Sequence, residues 1–112
     1  MPRKERVQEA IREGVGFIIH DELKDPRIGF ATVTKVELSP DLKYAKIYVS
    51  VLGEGSNKTF KALERAKGYI RKLLAQRIKM RFVPELAFKE DKSAEYSIYI
   101  SKKIDEIKNG NT

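Results

Sequence analysis

The stretch FATVTKVELSPDLKYAKIYVSVL, Phe30 to Leu52, decides the fold. From Tyr44 onward it alternates strictly, with Ala45, Ile47, Val49 and Val51 on one face and Tyr44, Lys46, Tyr48 and Ser50 on the other. A period of two is that of a half-buried strand, because successive side chains point to opposite faces of the pleat. Phe30 to Leu38 is rich in the β-branched residues Thr32, Val33, Thr34 and Val36, which pack well on a pleated surface. Between the two runs, Ser39-Pro40-Asp41 has the chemistry of a turn, since proline presets φ while serine and aspartate bond nearby backbone. Strands joined so closely pair antiparallel, as a hairpin.

On either side of the hairpin the period changes from two to about 3.6 residues. Val7, Ala10, Ile11, Val15, Ile18 and Ile19 recur at helical spacing, which predicts an amphipathic helix over Val7 to Leu23. Asp25-Pro26-Arg27 ends it, because the residue before proline is pushed out of the α region. On the far side, Gly53-Glu54-Gly55-Ser56-Asn57 breaks the chain, and a second stripe follows in Leu63, Ala66, Ile70, Leu73, Leu74 and Ile78. Pro84 closes that region. Glu85 to Asp91 holds a short alternation, Leu86 and Phe88 against Ala87 and Lys89, and reads as a third strand. Ser93 is placed to cap a last helix in which Tyr96, Ile100, Ile104 and Ile107 are three or four apart, although Tyr96 to Ile100 also alternates as a strand does. The order α-β-β-α-β-α makes this an α+β chain, with a three-stranded sheet and its helices on one face. With 112 residues and no internal repeat or interior linker, it reads as one domain over 1–112, with residues 1–5 and 109–112 as flexible ends.

Charge is distributed unevenly. Residues 1–56 hold nine Lys/Arg against nine Asp/Glu, and residues 57–112 hold fourteen against seven, so the whole net charge of +7 lies in the second half. From Lys58 to Arg81 there are nine cations and one acid, Glu64. Charge kept only for solubility is dispersed, whereas a balanced half beside a basic segment points to a polyanion partner. Lys61, Arg65, Lys67, Arg71, Lys72 and Lys79 fall opposite the apolar stripe, and Arg77 and Arg81 extend the patch. Arg77 is nearer the stripe, where it could equally serve as a core-edge residue. Arg3, Lys4 and Arg6 form either a flexible basic arm or a soluble terminus. Tyr44 and Tyr48 share the polar face of their strand, where they finish the sheet surface or stack on bases. Phe17, Phe30, Phe82 and Phe88 are expected in the core.

Enzyme classes find little support. There is no cysteine and one histidine, His20, so the usual zinc sites and thiolate chemistry are excluded. His20 stands beside Asp21 and Glu22, but no nucleophile, glycine-rich phosphate loop or strand-end carboxylate pair accompanies it. Asp21, Glu22 and Asp25 are acids near a helix end, for which solvated charge is as good an account as loose magnesium binding. The apolar cluster Val15 to Ile19 is too short to span a bilayer, and Met1 to Arg6 is polar with no apolar segment behind it. These features fit a cytoplasmic monomer without cofactor.

Gly68 is out of place near the middle of the basic helix, where glycine costs about 0.8–1 kcal/mol relative to alanine. Two accounts are open for the triplet Ala66-Lys67-Gly68. Glycine admits a close-packed neighbour, or the helix bends there and loosens backbone N–H groups beside Arg65 and Arg71, toward a phosphate. A break at this point gives the element order of a type II KH domain, a fold that clamps nucleic-acid backbone in a Gly-x-x-Gly loop, although no Gly-x-x-Gly occurs in this chain.

Four segments in order carry a closer likeness: Asp25-Pro26-Arg27-Ile28-Gly29, Ser39 to Val49 (SPDLKYAKIYV), Gly68-Tyr69-Ile70-Arg71, and Arg81 to Phe88 (RFVPELAF). From about Arg6 to Ile107 the chain resembles the ribosome-binding factor A family. In that family an Ala-x-Gly kink stands for Gly-x-x-Gly, and Ala66-Lys67-Gly68 matches it. The resemblance implies a KH-like, non-enzymatic protein that binds the small (30S) ribosomal subunit, assists late maturation of 16S ribosomal RNA and is associated with growth in the cold. With the Ala66-Lys67-Gly68 match set beside the basic helix face, RNA contact is expected through Lys61, Arg65, Ala66, Lys67, Gly68, Arg71, Lys72, Arg77, Lys79 and Arg81. A KH-like module for other RNA or single-stranded DNA, or a domain docking its basic helix on an acidic protein, are the other classes these residues allow.

Overall fold

The computed structural model describes residues 3–28, 31–52 and 56–93. Helix α1 runs Arg3–Phe17 and continues as one π-helical turn, Ile18–Leu23. Strands β1 (Ala31–Leu38) and β2 (Tyr44–Val51) follow, then helix α2 (Ser56–Arg77) and strand β3 (Glu85–Glu90). The element order is therefore the expected one up to β3. The expected last helix, with Tyr96, Ile100, Ile104 and Ile107, lies outside the described residues, as does Phe30.

The sheet order is β1-β2-β3. β1 and β2 form the antiparallel hairpin, with Leu38 opposite Ala45 and Ala31 opposite Val51. β3 runs parallel to β2, Ala45 opposite Leu86 and Ile47 opposite Phe88, so α2 is the crossover that a parallel pair requires. One face of the sheet meets both helices. Ile11, Val15, Ile18 and Ile19 from the first helical segment and Leu63, Ile70 and Leu74 from α2 close over Val33, Val36, Ile47, Val49, Leu86 and Phe88 in one core. Thr32, Lys35, Tyr44, Lys46 and Lys89 face the other way and are exposed.

Local chemistry explains the departures from simple periodicity. β1 buries Val33 and then Val36, a spacing of three, because a bulge between Val33 and Lys35 leaves Thr34 as an extra residue. The first helix begins at Arg3, ahead of its apolar pattern, because Arg3 to Arg6 are good helix formers. Arg3, Lys4 and Arg6, for which sequence leaves both a flexible basic arm and a soluble terminus open, lie in the first turns of this helix. The π-helical turn ends at Lys24, which adopts a left-handed φ of 49°. Asp25 then organises the following turn, accepting the Arg27 backbone N–H at 2.9 Å and its guanidinium at 2.8 Å. The Arg27 cation and these bonds hold the Asp25 carboxyl below its ordinary pKa.

Two phenylalanines expected in the core are not there. Phe17 is 42% and Phe82 77% exposed, whereas Phe88 is buried. Phe17 is the last α-helical residue before the π turn and lies under a cation of α2. Phe82 sits in a loop that buries the neighbouring Pro84 and leaves the ring outside.

Candidate nucleic-acid interface

α2 is helical without interruption from Ser56 to Arg77, so the expected break at Ala66-Lys67-Gly68 does not divide it into two helices. The physical reason is its buried stripe: Leu63 and Ile70 are fully buried on both sides of the triplet and hold the helix to the sheet through Gly68. Gly68 itself is exposed, and among the described residues a Cβ built on it meets nothing within 4 Å. The packing account of this glycine therefore fails. Gly14, by contrast, is buried, and a Cβ there falls 2.8 Å from Leu74 Cδ1.

Positions 61, 65, 68 and 72 are spaced four, three and four apart, which at 3.6 residues per turn sets them on a single ridge. Lys61, Arg65, Gly68 and Lys72 are all exposed along it, opposite the buried Leu63, Ile70 and Leu74. Lys58 is exposed one turn before Lys61. Among the described residues none of these four cations is in an ion pair. The structure thus gathers Lys61, Arg65 and Lys72 into a row of unneutralised charge with a side-chain-free gap at Gly68.

The other cations singled out from sequence are placed differently. Lys67 is paired with Glu64 at 2.7 Å, one turn back on the same helix. Ala66 is half-buried against the core. Arg71 turns onto backbone, donating Nε–H to the Pro84 carbonyl at 3.1 Å and Nη2–H to the Val83 carbonyl at 2.9 Å. Arg77 is exposed, with its guanidinium 4.1 Å from the centroid of the equally exposed Phe17 ring and 3.7 Å from a Glu22 carboxylate oxygen. Lys79 and Arg81 belong to the loop after α2, residues 78–84, and line a groove there with Arg3 and Arg6. The ten residues divide into an open ridge, a set engaged by the protein itself, and a set on a second surface. A row of exposed cations can neutralise phosphates, and it offers no group positioned for bond-making chemistry.

Sequence reasoning missed the groove and Phe82 within it. The available signal was an aromatic residue next to an arginine in a segment with neither helical nor strand period, Arg81-Phe82. Tyr44 and Tyr48 lie on the outer face of the sheet. Tyr48 is half-buried with Lys35 5.5 Å from its ring centroid, and Tyr44 is 59% exposed.

Comparison with known proteins gives concordant results. The family model described as ribosome-binding factor A matches residues 3–104. The ribosome-binding factor A of Natranaerobius thermophilus is 44% identical over 110 residues, covering 96% of this chain and 84% of that protein. That of Staphylococcus carnosus is 47% identical over 107 residues, covering 94% and 93%. The crystal structure of ribosome-binding factor A from Thermus thermophilus superimposes with a TM-score of 0.72 at 30% identity, covering 80% of this chain and 97% of that one. A homology model of the Thermus thermophilus protein, fitted into a cryo-electron-microscopy map of its 30S complex, matches with a TM-score of 0.62 at 30% identity, covering 80% and 92%. With the family model spanning nearly the whole chain and relatives this similar along their length, the chain belongs to the ribosome-binding factor A family.

Proposed function

We propose that this protein is a non-enzymatic assembly factor that binds the small ribosomal subunit and assists late maturation of its 16S RNA, using the α2 ridge to contact RNA phosphates. The observation that carries the reading is the row Lys61, Arg65 and Lys72, exposed and without ion-pair partners among the described residues, on the outward face of one helix. Family membership supplies the partner, and the Thermus thermophilus relative has been fitted into a map of its 30S complex. Gly68 fits this use: with no side chain at the centre of the row, RNA backbone can approach the helix closely. Phosphate contacts fix position and carry little sequence information, so the shape of the immature subunit selects the site.

The test is sedimentation of the protein with purified small subunits. The double variant Arg65→Glu, Lys72→Glu lowers affinity at least tenfold while circular dichroism and the thermal midpoint stay close to wild type. Both side chains are exposed, so the fold has no reason to respond. Unchanged co-sedimentation removes α2 from the contact surface.

A further inference from the structure

The groove beside the loop 78–84 is a second surface with a chemistry of its own. It measures about 820 Å³, at the upper end of the usual range for ligand sites of roughly 300–1,000 Å³. Its walls are Val7 and Ala10 of α1, Leu42 of the β1–β2 turn, and Ile78, Met80 and Val83 of the loop. Around that apolar floor stand five cations, Arg3, Arg6, Lys43, Lys79 and Arg81, and among the described residues none of them is in an ion pair. The one acid of the lining, Asp41, is engaged by its own turn. Its carboxylate accepts the Ser39 hydroxyl at 2.6 Å and the Lys43 backbone N–H at 3.0 Å, and these bonds hold it ionised. Phe82 stands in the same lining at 77% exposure, ahead of Tyr44, Leu52, Tyr69 and Phe17 among the exposed large apolar residues described. The Arg81 guanidinium is 5.7 Å from its ring centroid.

We infer that this groove takes a single-stranded segment of RNA, with an unpaired base stacked on Phe82 and the flanking phosphates on the cationic rim. Charge selects a polyanion, and the apolar floor with its outward ring selects a ligand that also has a flat apolar face. A duplex satisfies the first requirement and fails the second, because its bases are already stacked. An unpaired nucleotide satisfies both. The groove is built from α1, the β1–β2 turn and the loop after α2, and it shares no residue with the ridge of Lys61, Arg65 and Lys72. The inference rests on the RNA-binding reading for the class of partner, and the ridge variants keep the two separable.

Fluorescence anisotropy of the full chain, with a labelled single-stranded RNA decamer and with an RNA hairpin stem of similar charge, tests it. Stacking is worth about 1–3 kcal/mol per base, so Phe82→Ala is expected to weaken decamer binding by roughly five- to 150-fold and leave the stem unchanged, while Phe82→Trp restores decamer affinity. Ultraviolet cross-linking places the decamer on the peptide spanning residues 80–89. Equal decamer affinity in wild type and Phe82→Ala overturns the groove; if Arg65→Glu, Lys72→Glu then abolishes stem binding, the proposed function stands without it. A loss in Phe82→Ala confined to an acidic peptide such as oligoglutamate assigns the groove to a protein partner and overturns the inference. Failure of wild type to bind either RNA overturns both readings.

Discussion

The guanidinium of Arg71 donates to the main-chain carbonyl of Val83 at 2.9 Å, and through its Nε–H to the next carbonyl at 3.1 Å. A residue that sequence places among RNA-binding cations thus fastens the end of the loop 78–84 to α2. Arginine suits this position because its planar fork reaches two successive carbonyls at once, which a lysine ammonium does not. Charge-assisted bonds to half-buried carbonyls are worth more than exposed ion pairs. Arg71→Ala is expected to cost about 1.5–3 kcal/mol in urea unfolding, with Arg71→Lys recovering less than half. An unchanged urea midpoint in Arg71→Ala shows that the contact does not hold the loop.

Three glycines in helices separate conformational cost from function. Replacing glycine by alanine inside a helix gains about 0.8–1 kcal/mol where the methyl group has room. Among the described residues Gly16 and Gly68 have that room, with nothing within 4 Å of a built Cβ, and Gly14 does not. Gly16→Ala and Gly68→Ala are therefore expected to raise stability, by up to about 1 kcal/mol each. Gly14→Ala drives a methyl against the fully buried Leu74, and overpacking of about 1–3 kcal/mol outweighs the helical gain. Of the two stabilised variants, only Gly68→Ala lies on the ridge and is expected to weaken subunit binding. Thermal melts with sedimentation check all three, and equal binding by Gly16→Ala and Gly68→Ala removes close approach as the reason for Gly68.

How much of this is legible in the chain differs by level. The alternation from Tyr44 to Val49 and the helical stripes around Ile11 and Ile70 read correctly because burial on one face leaves a periodic trace, whereas Ser50, expected on the polar face, is buried. The Thr34 bulge also leaves its mark, as the three-residue step from Val33 to Val36, but β-branched composition alone hides it. Charge carries no such period. Lys72 and Arg71 are neighbours with the same formal charge, yet one is exposed on the ridge and the other bonds two carbonyls across a loop that begins after the helix ends. That assignment depends on where residues 83 and 84 return in space, which no local spacing shows. Phe17 and Phe82 are misplaced by sequence for a related reason, since composition does not register the π turn or the loop that turns each ring outward.

The bulge has a consequence in acid. Thr34 donates its hydroxyl to an Asp91 carboxylate oxygen at 2.6 Å, joining β1 to the residue just past β3. The Ser93 hydroxyl first, then that of Thr34 and the Ser93 backbone N–H, hold the Asp91 carboxyl below its ordinary value of 3.8. The folded state therefore binds this proton less readily than the unfolded chain. The contribution is complete above pH 3.8 and is lost as pH falls through the lowered native value. Asp91→Asn is expected to lower stability at neutral pH and to make the decline below about pH 4 shallower than in wild type. Glu9, Asp25, Glu37 and Asp41 are lowered as well, so the difference between the two acid profiles, and not either profile alone, reports Asp91. Parallel profiles refute the coupling.

Salt offers the sharpest division between the ridge cations and those the protein has already engaged. Each phosphate neutralised contributes about −0.7 to −0.9 to the slope of log K against log salt. If Lys58, Lys61, Arg65 and Lys72 are the contacts, the slope for RNA is near −3 to −3.5. Removing one of them, as in Arg65→Gln, makes it shallower by about 0.8. Lys67 and Arg77 carry the same formal charge, but Glu64 stands 2.7 Å from one, and Glu22 and the Phe17 ring adjoin the other. Phosphate contact by either requires leaving these partners, so Lys67→Gln and Arg77→Gln are expected to leave the slope unchanged within error. Titrations of wild type and the three variants at several salt concentrations decide it. Equal flattening by all three variants means that RNA meets a diffuse positive cloud, and the row on α2 then has no standing as a contact surface.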